Sequence, residues 1–156
     1  MDTLATLTLV LFLLLVVGGG LLIGFLTKPD EWYAKLNKPS FTPPNWIFAP
    51  VWTALYVFIA IAGWRTWQSA QDGIAWKLWW AQLILNFSWS PVFFVFHKIG
   101  LALGILILLV LAIIGFIAAE WPTDRWAAFL FVPYAAWTAF ALLLNASVYK
   151  LNKTHR

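Results

Sequence analysis

Residues 99–119 read IGLALGILILLVLAIIGFIAA. The run contains no charged and no hydrogen-bonding side chain. At about 1.5 Å rise per residue, a helix of about 20 residues crosses a hydrocarbon core. Within that core every backbone polar group must be satisfied internally, which a helix does. The run is therefore read as a transmembrane helix, and lipid becomes the solvent in which the rest of the chain is interpreted.

Four more uncharged apolar runs follow the same logic, at 4–26, 45–64, 78–96 and 126–149. The chain has 156 residues, 63% of them hydrophobic and 10% charged. Soluble domains carry about 25% charged residues. A mean hydropathy of +0.83 points the same way. The expected fold class is an all-α integral membrane protein. It forms a single domain, 1–156, with five transmembrane helices near 4–26, 43–67, 76–96, 99–119 and 126–149 and a long first loop, 27–42. The first run is not read as a cleaved signal peptide, because Asp2 flanks it without Lys or Arg and it is too long for an h-region.

The net charge of +4 comes from a few basic residues that flank apolar runs. Such residues anchor to headgroups and set topology, and they do not suggest nucleic acid as a partner. Lys28, Lys35, Lys38, Lys98, Lys150, Lys153 and Arg156 fall on one side, and Arg65, Lys77 and Arg125 on the other. That bias puts the first loop and the C-terminus in the cytoplasm. Helical spans favour a bacterial inner membrane over an outer one. The chain has no cysteine, which excludes disulfides, thiolate metal sites and cysteine nucleophiles. No internal repeat is visible, which weighs against a repeat-built transporter.

No ionisable residue sits in the middle of a span, whereas pumps and proton relays need such groups there. The histidines are His97 and His155. A metal site, or a haem with a histidine axial ligand inside the bundle, is not expected. Nor is there a Ser–His–Asp constellation. The third and fourth spans are separated only by His97-Lys98 and must be antiparallel neighbours. The long loop, TKPDEWYAKLNKPSFT, contains Pro29-Asp30-Glu31, a helix-start pattern. A short interfacial helix is expected over 30–36, carrying Trp32 and Tyr33. A loop of this length with aromatics is more often functional than a plain connector.

Polar residues, prolines and tryptophans recur together inside the spans. The second opens SFTPPNWIFAPVWTALY (40–56), where Thr42 reads as the N-cap and Pro43 as the first helical residue. Pro50 frees the Trp46 carbonyl, and Trp52 and Tyr56 lie four apart. In the third, Gln82, Asn86, Trp89 and Phe93 share a face, and Pro91 frees the Phe87 carbonyl. In the fifth, Pro133, Trp137, Ala141 and Asn145 are each four apart. Trp46, Trp64, Trp67, Trp76, Trp121 and Trp126 lie near span ends and read as interface anchors. The deeper Trp52, Trp89 and Trp137 are either packing or the wall of a pocket. Asn86 and Asn145 either bond between helices or meet a ligand. The coincidence in three spans favours a pocket for a flat, apolar ligand. Gly20 and Gly24 form a GxxxG, read chiefly as close intramolecular helix approach. Leu144, Tyr149 and Lys153 fit the loose cholesterol-contact pattern, which an ordinary interfacial helix end also satisfies.

Three segments, KPSFTPPNWIFAPVWTALY (38–56), NFSWSPVFF (86–94) and FVPYAAWTAFALLLN (131–145), resemble the TspO/MBR family in order and together. These are the tryptophan-rich sensory proteins and the mitochondrial translocator, or peripheral benzodiazepine receptor, proteins. The likeness covers nearly the whole chain, including the loop start KPDEWY. The resemblance implies a five-helix, usually dimeric fold that binds porphyrins and synthetic isoquinoline and benzodiazepine ligands, with the pocket under the first loop. Its lining is implied to be Trp32, Tyr33, Pro44, Trp52, Tyr56, Asn86, Trp89, Trp137, Ala141 and Asn145. Trp52 and Trp137 match tryptophans linked to light-dependent porphyrin breakdown. Sterol contact is implied at the end of the fifth span. Phe140, beside Ala141, is expected to narrow the pocket.

No cofactor is required on this reading, and the ligand is protoporphyrin IX or a related tetrapyrrole. Indoles suit its ring by stacking, and Lys28, Lys35 and Lys38 suit its propionates. Without a buried histidine, a metal-free porphyrin fits better than haem. The expected role is a porphyrin-binding sensor or regulator. The alternatives are a light-dependent protoporphyrin-degrading enzyme and a porphyrin or sterol transporter.

Overall fold

The computed structural model describes residues 2–153. Of the basic residues used for topology, Arg156 lies outside the described residues, as does His155. Six helices are described: α1 Thr3–Leu26, α2 Glu31–Lys35, α3 Asn45–Ser69, α4 Ile74–Val95, α5 Ile99–Glu120 and α6 Arg125–Asn152. All but α2 are long and apolar enough to cross a membrane. The chain is an all-α five-span bundle, as its hydropathy requires. Large apolar side chains face outward on α1 (Leu11, Leu14), α4 (Ile84), α5 (Leu108, Leu111) and α6 (Leu143), which only a lipid surround accommodates.

The spans form a ring in the order α1, α3, α6, α5, α4, with α4 returning to α1. The two-residue turn at His97-Lys98 does make α4 and α5 antiparallel neighbours. Asn152 at the end of α6 donates from Nδ2 to the Asn37 carbonyl at 2.9 Å and accepts the Asn37 amide at 3.0 Å. The long loop, the α4–α5 turn and the end of α6 therefore share one end of the bundle.

Several boundaries depart from the sequence reading. α3 starts at Asn45, with Pro44 extended before it (φ −56°, ψ 144°). Pro43 cannot open the helix because the residue before a proline is pushed out of the helical region. Thr42 does not cap; its hydroxyl donates to the Pro39 carbonyl at 2.8 Å and closes the preceding turn. The short helix forms as Glu31–Lys35, with Asp30 as its N-cap. After Pro91, α4 continues as a wider π turn, Pro91–Val95, closed by the Phe96 amide on the Pro91 carbonyl at 3.0 Å. A ring that clashes with the preceding turn and lacks an N–H accounts for the widening.

The larger buried cluster includes the end of the bundle away from the long loop, and a smaller one, Phe93, Ala102 and Val148, lies under the loop residues Trp32, Tyr33 and Leu36. Trp79 is fully buried, and its Nε1 donates to the Ile59 carbonyl at 2.9 Å. Trp76 stacks parallel on it, and Phe12 meets it edge-on. Trp67 and Trp76 thus belong to an aromatic cluster around Phe12 and are not simple anchors. Trp46 and Trp126 are largely exposed, as anchors are. Trp64 is half-buried and donates to Thr8 Oγ1 at 3.2 Å.

Asp124 caps α6 by accepting from the Trp126 and Ala127 amides, and it takes a two-pronged contact from Arg65 at 2.7 and 3.0 Å. Burial alone would raise its carboxyl, but the Arg65 guanidinium and the two amides outweigh it and hold it below the usual range. A depressed carboxylate contributes stability that is complete above the unfolded value, about pH 4, and lost as pH falls through the lower folded value. Asp124→Ala is expected to cost about 1–2 kcal/mol in cap alone. Asp124→Asn keeps the cap and flattens the loss of stability below about pH 4. Thermal unfolding in detergent against pH checks both.

Candidate functional site

Beneath the long loop lies a cavity of about 610 Å³, within the range of sites that hold drug-sized ligands. α1 contributes Gly20, against which the Tyr56 ring packs, and Gly24, whose missing side chain leaves room. α3 supplies Phe48, Ala49, Trp52 and Tyr56, α4 supplies Asn86, Trp89, Ser90 and Phe93, and α6 supplies Ala141, Leu144 and Asn145. Lys28, Tyr33, Lys38 and Thr42 come from the loop.

The wall is aromatic because helical spacing stacks it. Trp52 lies near-parallel to Tyr56, centroids 5.7 Å apart. Trp89 donates from Nε1 to Asn145 Oδ1 at 3.0 Å, and Asn145 donates to the Ile99 carbonyl at 3.1 Å. That chain fixes the Trp89 ring across three helices. At the floor, Asn86 Nδ2 donates to the Tyr134 hydroxyl at 2.7 Å, which donates to Gln82 Oε1 at 2.8 Å. Tyr56 donates to Asn86 Oδ1 at a long 3.5 Å, so it retains capacity for another partner. Gln82 Nε2 and Trp137 Nε1 are buried without a partner.

Two cations stand at the mouth. Lys28 Nζ lies 4.3 Å from the Phe25 ring and Lys38 Nζ 4.4 Å from the Tyr33 ring. Burial pushes the Tyr33 phenol up, so it presents a neutral hydroxyl. Lys35 faces away and pairs with Glu31 at 4.0 Å. Thr27 and Ser90 share a 2.6 Å hydrogen bond that ties the end of α1 to α4. Among the described residues, no three His, Cys, Asp or Glu converge on one point to hold a metal ion.

Of the residues singled out from sequence, Tyr33, Trp52, Tyr56, Asn86, Trp89, Ala141 and Asn145 come together on the cavity, with Leu144 beside them. Trp32 stands one layer out and stacks on His97. Pro44 is the extended cap of α3. Trp137 stands behind the wall, edge-on to Phe48 and near Phe140. Phe140 packs between Phe41 and Trp137 and is not in the lining. Tyr149 and Lys153 lie at the outer end of α6, with the lysine over the Tyr149 ring. The GxxxG divides: Gly20 meets Tyr56, whereas Gly24 faces open space. The sequence reading missed Tyr134, the hub of the floor. Its signal was a phenol deep in a span, which must find a partner there.

Fold and site together define a five-span membrane protein with a loop-covered aromatic cavity. The chain matches the TspO/MBR family over residues 11–151. It is 40% identical over 129 residues to the tryptophan-rich sensory protein of Cereibacter sphaeroides, covering 83% of this chain and 82% of that one. It is 37% identical over 150 residues to the tryptophan-rich protein TspO of Archaeoglobus fulgidus, covering 94% and 97%. The human translocator protein is 36% identical over 127 residues, covering 78% and 75%. The chain belongs to the TspO/MBR family.

Proposed function

We propose that this protein binds a metal-free tetrapyrrole of the protoporphyrin IX type in the cavity and acts as a membrane sensor or regulator. The observation that carries the reading is an aromatic wall of Trp52, Tyr56 and Trp89 facing a mouth with Lys28 and Lys38. A flat ring stacks on the wall, and two propionates meet two ammonium groups. The sensory role is supported by the name of the Cereibacter sphaeroides relative. The lysine bias supports a cytoplasmic mouth, and the helical spans support a bacterial inner membrane over an outer one.

Titration with protoporphyrin IX in the dark, followed by tryptophan quenching, is expected to saturate at one site per chain. A Lys28→Gln/Lys38→Gln variant should bind about three- to tenfold more weakly, in line with about 1 kcal/mol for charge-assisted contacts near solvent. The neutral dimethyl ester should bind wild type and variant alike. Quenching that never saturates would mean that porphyrin only partitions into detergent.

A light-dependent degradation reading is favoured by the place of Trp52, an oxidisable ring on the wall and edge-on to Tyr134 at 6.4 Å. Illuminating the same sample in air, with Trp52→Phe as comparison, separates it from binding alone.

A further inference from the structure

The long loop is fastened to the bundle at a point outside the cavity. His97, in the α4–α5 turn, has a left-handed backbone with φ 54°. Few non-glycine residues adopt this, histidine more readily than most. Its ring stacks on Trp32, centroids 4.0 Å apart and planes 18° from parallel. Its Nε2 stands 3.4 Å from Asp30 Oδ2. The other Asp30 oxygen accepts the Tyr33 amide at 3.1 Å and starts α2. One carboxylate therefore both caps the loop helix and ties it to the turn. Trp32 and Tyr33 then rest edge-on against Phe93, a cavity residue.

We propose that His97 is a pH-sensitive latch: the imidazolium fastens α2 over the cavity mouth, and the neutral ring lets it lift. The ligand half of this inference rests on the tetrapyrrole reading; the loop movement rests on the latch geometry alone.

A neutral imidazole offers Asp30 at most one hydrogen bond. The imidazolium adds an ion pair to Asp30 and a cationic face to the Trp32 indole. An ordinary imidazole changes charge between about pH 5 and 8. Over that range Asp30 stays ionised, because the Tyr33 amide, against some desolvation and with help from His97, holds its carboxyl low. The other charges nearby are engaged elsewhere or cationic. Glu31 faces Lys35, Lys38 lies over Tyr33 and donates to the Leu36 carbonyl, Lys153 lies over Tyr149, Lys28 lies over Phe25, and Lys98 is the next residue in the chain. Among the described residues, Asp30 alone is a carboxylate within ion-pair distance of His97.

The contacts that the imidazolium adds, to Asp30 and to the Trp32 ring, exist only with the loop closed, so falling pH favours closure. The Thr27–Ser90 and Asn37–Asn152 contacts contain no titratable group, so they hold the two ends of the segment that moves. An ion pair near solvent and one cation–π contact together shift the closed-to-open ratio about three- to tenfold.

The chain has no cysteine, so Ala34→Cys, at an exposed position of α2 that leaves the Glu31–Lys35 pair in place, and Lys150→Cys can carry a pair of spin labels. Distances would be measured in lipid nanodiscs at about pH 8 and about pH 5.5, across the imidazole range. The backgrounds are wild type, His97→Asn and Asp30→Asn. Asn tolerates the left-handed backbone, and it also caps a helix as well as Asp. In wild type the long-distance population should shrink about three- to tenfold at the lower pH, and in both variants it should not move. Dissociation of protoporphyrin IX should slow by the same factor in wild type relative to the variants. Distances that ignore pH in wild type, or shift equally in all three proteins, overturn the latch. Distances that behave as stated, with no saturable porphyrin site, leave the latch standing and remove the tetrapyrrole reading.

Discussion

Gly63→Ala will destabilise the bundle by about 2–3 kcal/mol, the upper part of the range for overpacked cores. A Cβ built on Gly63 would lie 2.2 to 2.4 Å from the Cε2, Cζ2 and Nε1 atoms of Trp79. That indole has nowhere to go. It is fully buried, donates to the Ile59 carbonyl, lies flat under Trp76 and takes Phe12 on its edge. Helix propensity acts in the opposite direction, since alanine exceeds glycine by up to about 1 kcal/mol in a helix interior. The steric term is larger, so the sign is decided by packing. Gly104→Ala is the matched control, because a Cβ there meets nothing within 4 Å. Thermal unfolding in detergent should show a lower Tm for Gly63→Ala and none of that loss for Gly104→Ala. Equal stability of the two would mean that Trp79 is not seated as described.

The spans were legible because hydropathy alone defines them: a run such as 99–119 has no alternative in water. The face that each span turns inward was not. In lipid the outward face is as apolar as the inward one, so the periodic contrast that orients a soluble helix is missing. Leu106 and Leu108 read alike, yet one is buried and the other exposed. Polar residues carried the orientation instead. Asn86, Gln82 and Asn145 point inward, because each must find a partner in the bundle. Tryptophan was ambiguous for the converse reason, since an indole satisfies an interface, a core or a pocket wall. Trp126 took the first, Trp79 the second and Trp89 the third. Trp137 shares a helical stripe with Ala141 and Asn145 but stands behind Phe48, because Phe48 arrives from α3 and fills the space in front of it. Such an occlusion depends on a neighbouring helix, and four-residue spacing within one helix cannot reveal it. The proline pair at 43–44 misled by two residues, Asn45 opening the helix in place of Pro43, because two helix-start rules compete there and the restriction before a proline wins.

Gly24→Leu will abolish most ligand binding while leaving the fold intact, and this separates the cavity from the rest of the aromatic framework. Gly20 and Gly24 are one helical turn apart, and both line the cavity. They differ in what stands opposite. A Cβ on Gly20 would lie 2.3 Å from the Tyr56 ring, whereas one on Gly24 meets nothing within 4 Å. Leucine at 24 therefore enters empty space, the space that a ligand ring would need. Binding of protoporphyrin IX should weaken at least about tenfold, which is about 1.4 kcal/mol. Tm should change by no more than about 4 °C, equivalent to about 1 kcal/mol in a chain of this size. Gly20→Ala provides the contrast: it drives into Tyr56, so it should lower Tm and weaken binding together. Unaltered quenching with Gly24→Leu would place the porphyrin somewhere other than this cavity. A matching fall in Tm would mean that α1 needs its glycine for packing, and the two glycines would then serve one purpose instead of two.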